Sequence, residues 1–221
     1  MSDQYVDVTT LEAEMPPIPA SDTAKKRQIL DGARKVFLSD GFDGASMNEI
    51  ARVAGVSKGT LYVYFDSKEA LFEELVRTDK RRQAEQMFEI CMDQPDVRAV
   101  LRTLGVTLLS HMANEESVAQ VRTIIGISGK LPQIGRAFYE AGPAYGIDKL
   151  TRYLDSQVAA GVLGIHDTRF AAIMFVDICQ SGGVKAKLFG MDVDLSPEAI
   201  AQRVERAIDF FLAAYGTDKS G

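Results

Sequence analysis

SMNEIARVAGVSKGTLYVYF, residues 46–65, reads as two short helices joined by a tight turn. Ser46 and Glu49 have the S-x-x-E spacing in which a serine hydroxyl receives a backbone N–H one turn on. They open a helix whose buried side is Ile50, Ala51, Val53 and Ala54. Gly55 follows, and glycine takes the positive φ of a sharp helix stop without a Cβ penalty. Ser57 caps the second helix, with Leu61 and Phe65 inward. Lys58, Gly59, Thr60, Tyr62 and Tyr64 remain to face outward.

The elements on either side are helical too. Over 23–40, Ile29, Leu30, Ala33, Val36 and Phe37 fall on one stripe of a helix, and Gly41 stops it. Asp66 or Ser67 starts a fourth helix, 67–82, with Leu71, Phe72 and Leu75 apolar. Further on, helices are expected at 97–113 and 117–128. Another runs from Pro132 to Ala141, where Gly142-Pro143 should break or kink it. Ile147, Leu150, Leu154 and Val158 share a face of the next helix, which ends near Gly161. A single helix over 168–189 is apolar almost all round and so should be covered on two sides. A last helix follows Ser196-Pro197, with Ile200, Val204, Ile208, Phe211, Leu212 and Tyr215 in a stripe. No segment alternates with period two, so the fold class is all-α.

Of the 221 residues, 46% are hydrophobic and 25% charged, as in an ordinary globular protein. No apolar run is long enough to span a membrane, and the acidic start lacks the apolar centre of a secretory signal. Residues 1–22, with Pro16, Pro17 and Pro19, read as a disordered tail. Cys91 and Cys179 lie far apart, and His111 and His166 lack neighbours at ligand spacing, so no disulfide framework, metal or cofactor is expected. The reducing cytoplasm is the expected compartment. The net charge of −6 argues at first against nucleic acid. Residues 21–82, however, hold 12 Lys and Arg against 10 Asp and Glu, the one net-positive segment, and it contains the two short helices.

A helix that reads the major groove must expose groups for phosphates and base edges while its other face packs on a support. Segment 57–65 meets both demands. Lys58 can neutralise a phosphate, Gly59 permits close backbone approach, and Thr60 offers a hydroxyl and a methyl to a base edge. Tyr62 and Tyr64 carry hydroxyls on rigid arms. Ser46 and Lys68 stand at helix N-termini, where backbone N–H groups favour phosphate. The bland alternative makes these ordinary surface residues of a small helical bundle.

Over 23–75 the chain resembles the N-terminal domain of the tetracycline-repressor (TetR) family of regulators. The match runs through Ile29, Leu30, Ala33, Phe37, Gly41, Phe42, Ser46, Ile50, Ala51, Ala54–Ser57, Gly59, Leu61, Tyr62, Tyr64, Phe65, Lys68, Glu69 and Leu71. Two positions depart from it. Met47 stands where the family often has a threonine, and Val63 where it often has an aromatic, which puts the contacts from those positions in doubt. The resemblance implies a homodimer of about nine helices per subunit on a palindromic double-stranded DNA operator. Carried over by position, the DNA-binding residues are Ser46, Ser57, Lys58, Gly59, Thr60, Tyr62, Tyr64 and Lys68.

Further along, RAFYEAGPAYGIDKLTRYLDSQVAAGVL resembles the AefR-like C-terminal domains of the same family. This gives a DNA-binding domain over 23–83 and an effector-binding and dimerisation domain over 84–221. A small apolar or amphipathic effector would meet Phe88, Leu104, Leu108, Met112, Ile124, Phe138, Tyr145 and Met174, although such a stripe is more often plain core than pocket. The family's pairing of its last two helices across the dimer points to Phe175, Ile178, Ile200, Val204, Ile208 and Phe211. Asp177 interrupts the apolar run as a ligand anchor or, more simply, an ion-paired or exposed position. The implied function is a repressor released from its operator by the effector. An activator, or a regulator without an effector, satisfies the same residues. An enzyme does not, since no nucleophile–base pair, phosphate loop or metal set can be placed.

Overall fold

The structure, a computed structural model, describes residues 20–92 and 96–217; the expected N-terminal tail lies largely outside them. The helices are α1 (Ala20–Gly44), α2 (Met47–Ala54), α3 (Lys58–Tyr64), α4 (Lys68–Met92), α5 (Val97–Ala113), α6 (Glu115–Ser128), α7 (Pro132–Tyr139), α8 (Tyr145–Ala159), α9 (Thr168–Gln180), α10 (Val184–Leu188) and α11 (Pro197–Tyr215). Packing divides the chain into two compact units between Leu71 and Phe72. The described residues contain no strand beyond an isolated bridge between Leu163 and Gly216.

In the first unit, the stripe Ile29, Leu30, Ala33, Val36 and Phe37 is buried as its spacing requires. The helical path of α1 is interrupted at Gly41 (φ 71°, ψ 176°), a left-handed φ suited to glycine. Phe42 then stacks on Phe37, ring centroids 6.1 Å apart. Gly32 lets α1 approach α2 closely: a Cβ there would lie 2.5 Å from the Ala54 Cβ. At the same corner Gln28 Nε2 donates to the Ala54 carbonyl (2.8 Å). Ile50, Ala51 and Ala54 are buried, whereas Val53 is half-exposed.

The second unit is built on Leu101, Leu104 and Leu109 of α5, Leu150 and Leu154 of α8, Phe175 and Cys179 of α9, and Val204, Ile208 and Phe211 of α11. Phe175 and Phe211 meet edge to face, 5.6 Å between centroids. Gly105 brings α5 onto α11: an added Cβ would lie 2.7 Å from a Val204 methyl. Asp96, Asn114, Asp167 and Ser196 each accept a backbone N–H in the first turn of the helix they precede. Among the described residues, no helix is long and apolar enough to cross a membrane.

Three expectations need correction. The fourth helix does not end at 82 but continues to Met92. Gly142-Pro143 does not break the chain's helical course. Glu140–Ala144 forms a π-helical turn carrying Pro143 between α7 and α8. The wider turn relieves the clash of the pyrrolidine ring with the preceding turn, and the helix continues. The expected single helix over 168–189 is two. Gly182 adopts φ 71°, and the Ser181 hydroxyl and N–H turn back to the Ile178 carbonyl, ending α9.

Candidate nucleic-acid interface

Local hydrogen bonds fix the two short helices. Ser46 Oγ accepts the Glu49 N–H (3.2 Å), and the Glu49 carboxylate takes the Arg52 guanidinium through both oxygens (2.9 and 2.5 Å). That hydrogen bond holds the Glu49 carboxyl below the usual range. Gly55 closes α2 in the left-handed region (φ 64°), and the Val56 N–H returns to the Ala51 carbonyl (3.0 Å). Ser57 Oγ accepts the Thr60 N–H (2.9 Å) and shares a second hydrogen bond with Thr60 Oγ1 (2.8 Å), so the Thr60 hydroxyl is oriented before any ligand arrives.

These bonds present α3 with two distinct sides. Leu61 and Phe65 are buried, while Lys58, Gly59, Tyr62 and Val63 are exposed at successive i, i+4 positions. The Lys58 ammonium lies 5.9 Å from the Tyr62 ring centroid. Thr60 and Tyr64 are half-exposed at the edges, and Ser46 and Ser57 stand exposed at the helix starts. A cation, hydroxyls and an apolar tip therefore share one face, which suits phosphates and base edges. Val63 is 82% exposed, against 43% for Tyr62. Its isopropyl group is suited to a thymine methyl.

Lys68 stands apart from this set. Its ammonium donates to the Phe42 carbonyl (2.8 Å) and the Asp43 carbonyl (3.4 Å) and sits 4.6 Å from the Phe42 ring centroid. It ties the start of α4 to the carbonyl end of α1, where a cation is favoured. Nothing in its sequence position showed this, because its partners lie about 25 residues away.

The other predicted residues divide by burial. Phe88, Leu104 and Ile124 are core, and Leu108, Met112 and Met174 are half-buried. Phe138 and Tyr145 face cations: Lys80 lies 4.9 Å from the first ring centroid and Arg81 3.6 Å from the second. None of the eight lines the cavity of about 530 Å³ bounded by Ile178, Ser181, Asp194, Ala199, Gln202, Arg203, Arg206, Ala207 and Phe210. Phe175, Ile200, Val204, Ile208 and Phe211, expected at a dimer interface, are buried inside a single chain and have no area left to bury against a second copy. Ile178 is half-buried. The large apolar side chains that α9 and α11 do expose are Phe170, Ile173 and Phe210, with Asp177 exposed alongside. The helical stripe was legible, but which of its two apolar sides the chain covers itself was not. Burial raises the Cys179 thiol to about 12, which leaves it unreactive.

Residues 29–75 match the sequence profile of bacterial regulatory proteins of the tetR family, and residues 99–217 that of the AefR-like transcriptional repressor C-terminal domain. An HTH-type transcriptional repressor of Mycobacterium tuberculosis is 43% identical over 61 residues, covering 28% of this chain and 33% of that protein. The chain thus matches only about a third of that curated relative's length. Among solved structures, a TetR-family transcriptional regulator from Mesorhizobium loti superposes with a TM-score of 0.77 at 28% identity, covering 88% of this chain and 98% of the other. A flavonoid-responsive regulator, FrrA, superposes with a TM-score of 0.74 at 34% identity, covering 89% and 99%.

Proposed function

Since the chain belongs to the TetR family of bacterial regulatory proteins and carries an AefR-like C-terminal domain, we propose that it is a homodimeric repressor, released from a palindromic operator by a small apolar or amphipathic effector. The exposed face of α3 carries this reading. Lys58, Gly59, Tyr62 and Val63 project from a helix whose cap and opposite face are fixed by the protein itself. Ser46, Ser57, Thr60 and Tyr64 flank that face. Preorganised donors need not be ordered on binding, so contact energy is retained as affinity.

A second copy would cover Phe170 and Ile173 of α9 and Phe210 of α11, which a lone chain leaves to water. Two reading helices about 34–36 Å apart then meet successive major grooves. The effector acts by binding better to the arrangement that does not fit the operator. FrrA, named as flavonoid-responsive, supports a ligand-responsive second unit here. The α4 helix, which starts in the first unit and continues in the second, is the element through which the response would pass.

Fluorescence anisotropy against duplexes tiling the region upstream of its gene, at two salt concentrations, tests the reading. Selective binding with a steep salt slope is expected, and Lys58→Ala should reduce the slope by about one. Binding no tighter than to scrambled duplex on every tile counts against a local operator. An operator complex insensitive to a broad panel of apolar and amphipathic compounds counts against the effector.

A further inference from the structure

Lys80, on the third turn of α4 beyond the boundary between the units, is half-buried, and the oxygens that accept its hydrogen bonds are neutral. Its Nζ donates to Gln83 Oε1 (3.2 Å) and Gln120 Oε1 (3.1 Å) and lies 4.9 Å from the Phe138 ring centroid. Neither oxygen belongs to a carboxylate. An ammonium withdrawn from water and hydrogen-bonded to neutral oxygens is costly, and a directly bonded anion would offset that cost. Consistent with that cost, burial lowers the Lys80 pKa, against the opposing pull of Asp79 and Glu116.

Other groups beside it can donate to an anion, in a surrounding where Glu115 and Glu116 already occupy the first turn of α6. Ser117, a buried polar side chain, lies in the first turn of α6, whose positive end favours negative charge. Its hydroxyl is 3.2 Å from His111 Nε2, and His111 Nδ1 is 3.3 Å from Gln83 Nε2. Opposite the Lys80 stem runs the π-helical turn. Gly142 there leaves a methyl-sized gap, since an added Cβ would come 3.6 Å from the Lys80 Cβ. π-helical turns inside α-helical runs recur at functional sites. The carboxylate on that turn, Glu140, faces Arg77 (3.7 Å).

We propose that Lys80, with Ser117, Gln120 and His111 around it, anchors the carboxylate of an acidic amphipathic effector, whose apolar part lies against Phe138. The proposal rests on the effector-responsive reading and names the chemical class of its ligand. The incoming carboxylate takes the ammonium N–H that the two amide oxygens leave over and adds a hydrogen-bonded counter-charge to the coulombic pull of Asp79 and Glu116. Ser117 adds a hydroxyl donor. A charge-assisted hydrogen bond at a partly desolvated site corresponds to a preference of about ten-fold for the acid over its alcohol.

Calorimetry on the full chain with decanoate against decan-1-ol, and cinnamate against cinnamyl alcohol, tests this directly. The wild type should prefer each acid by about ten-fold, Lys80→Met should lose the preference, and Lys130→Met, at an exposed position, should keep it. Ligand-free Lys80→Met should also melt above the wild type, because it removes a desolvated charge. A lysine with a purely structural role would give the opposite sign. Acid preference surviving in Lys80→Met, no binding of either acid, or a lower melting midpoint in the variant each overturns the anchor. Neutral compounds that release the operator would leave the effector reading standing while the anchor falls. An operator complex that no acid or alcohol disturbs counts against both.

Discussion

Replacing Gly32 by alanine should loosen the first unit, although the same change in an unobstructed helix is stabilising. The added Cβ would lie 2.5 Å from the Ala54 Cβ, 2.6 Å from its Cα and 2.7 Å from its nitrogen. Carbon atoms in contact sit at about 3.5–4.0 Å, so α2 must retreat by about 1 Å. Two of the three obstructing atoms are backbone and have no rotamer to yield. Overpacking of this kind costs about 1–3 kcal/mol. The Gln28–Ala54 hydrogen bond at the same corner (2.8 Å) lengthens, at about 1 kcal/mol. The better helix propensity of alanine offsets about 1 kcal/mol. The net loss is about 2 kcal/mol, equivalent to about 30-fold faster amide exchange where opening is local. Hydrogen exchange of peptides spanning residues 29–56, read by mass spectrometry, measures it. The control is Gly126→Ala on α6, where an added Cβ meets nothing within 4 Å; exchange there should slow. Because α2 and α3 share one turn, operator affinity should fall in Gly32→Ala under conditions where the variant remains folded. Exchange in 29–56 equal to or slower than wild type would refute the argument from close approach.

Other outcomes follow from the same geometry. Lys68→Met should lower stability by about 1–2 kcal/mol by releasing the carbonyl end of α1, seen as a lower melting midpoint at fixed protein concentration. A salt slope reduced by about one, with an unchanged midpoint, would instead make Lys68 a phosphate contact. His111 titrates below its ordinary value of 6.5 because burial, then the Lys80 charge, disfavours its ionised form. The unfolded chain therefore takes up a proton that the folded chain does not. Stability is unaffected well above 6.5 and is lost as pH falls below it, towards the folded value. His111→Gln should flatten the fall of denaturant midpoints below pH 6.5, and an undiminished slope would move the effect elsewhere. Phe210→Glu places a charge on the exposed apolar face of α11; light scattering should show the dimer weakened, and an unchanged mass down to nanomolar concentration would exclude that face as the interface.

The sequence by itself determined what depends on neighbours within about one helical turn. Ser46, Ser57 and Ser196 cap helices because a hydroxyl reaches an N–H three residues on. Gly41 and Gly55 stand at the two left-handed positions among the described residues of the first unit because a side chain is strained there. Ile29, Leu30, Ala33, Leu61 and Phe65 are buried because their spacing leaves them on one side. The all-α class, the reading helix and its outward residues follow from such local rules.

Only the tertiary structure decided matters that depend on contacts between distant parts of the chain. It turned Lys68 towards carbonyls of α1, and it filled the core with five of the six side chains assigned to a dimer contact. It also gathered Lys80, His111, Ser117 and Gln120 from three helices into one polar cluster. Periodicity shows that a helix has an apolar side, but when residues are apolar almost all round, as on α9, it does not say which side meets the chain's own core. That choice is made by the shapes of the elements that pack there. The same physics explains Gly32, which in sequence is an ordinary helix glycine and in space is the point where two backbones come within reach of one missing methyl group.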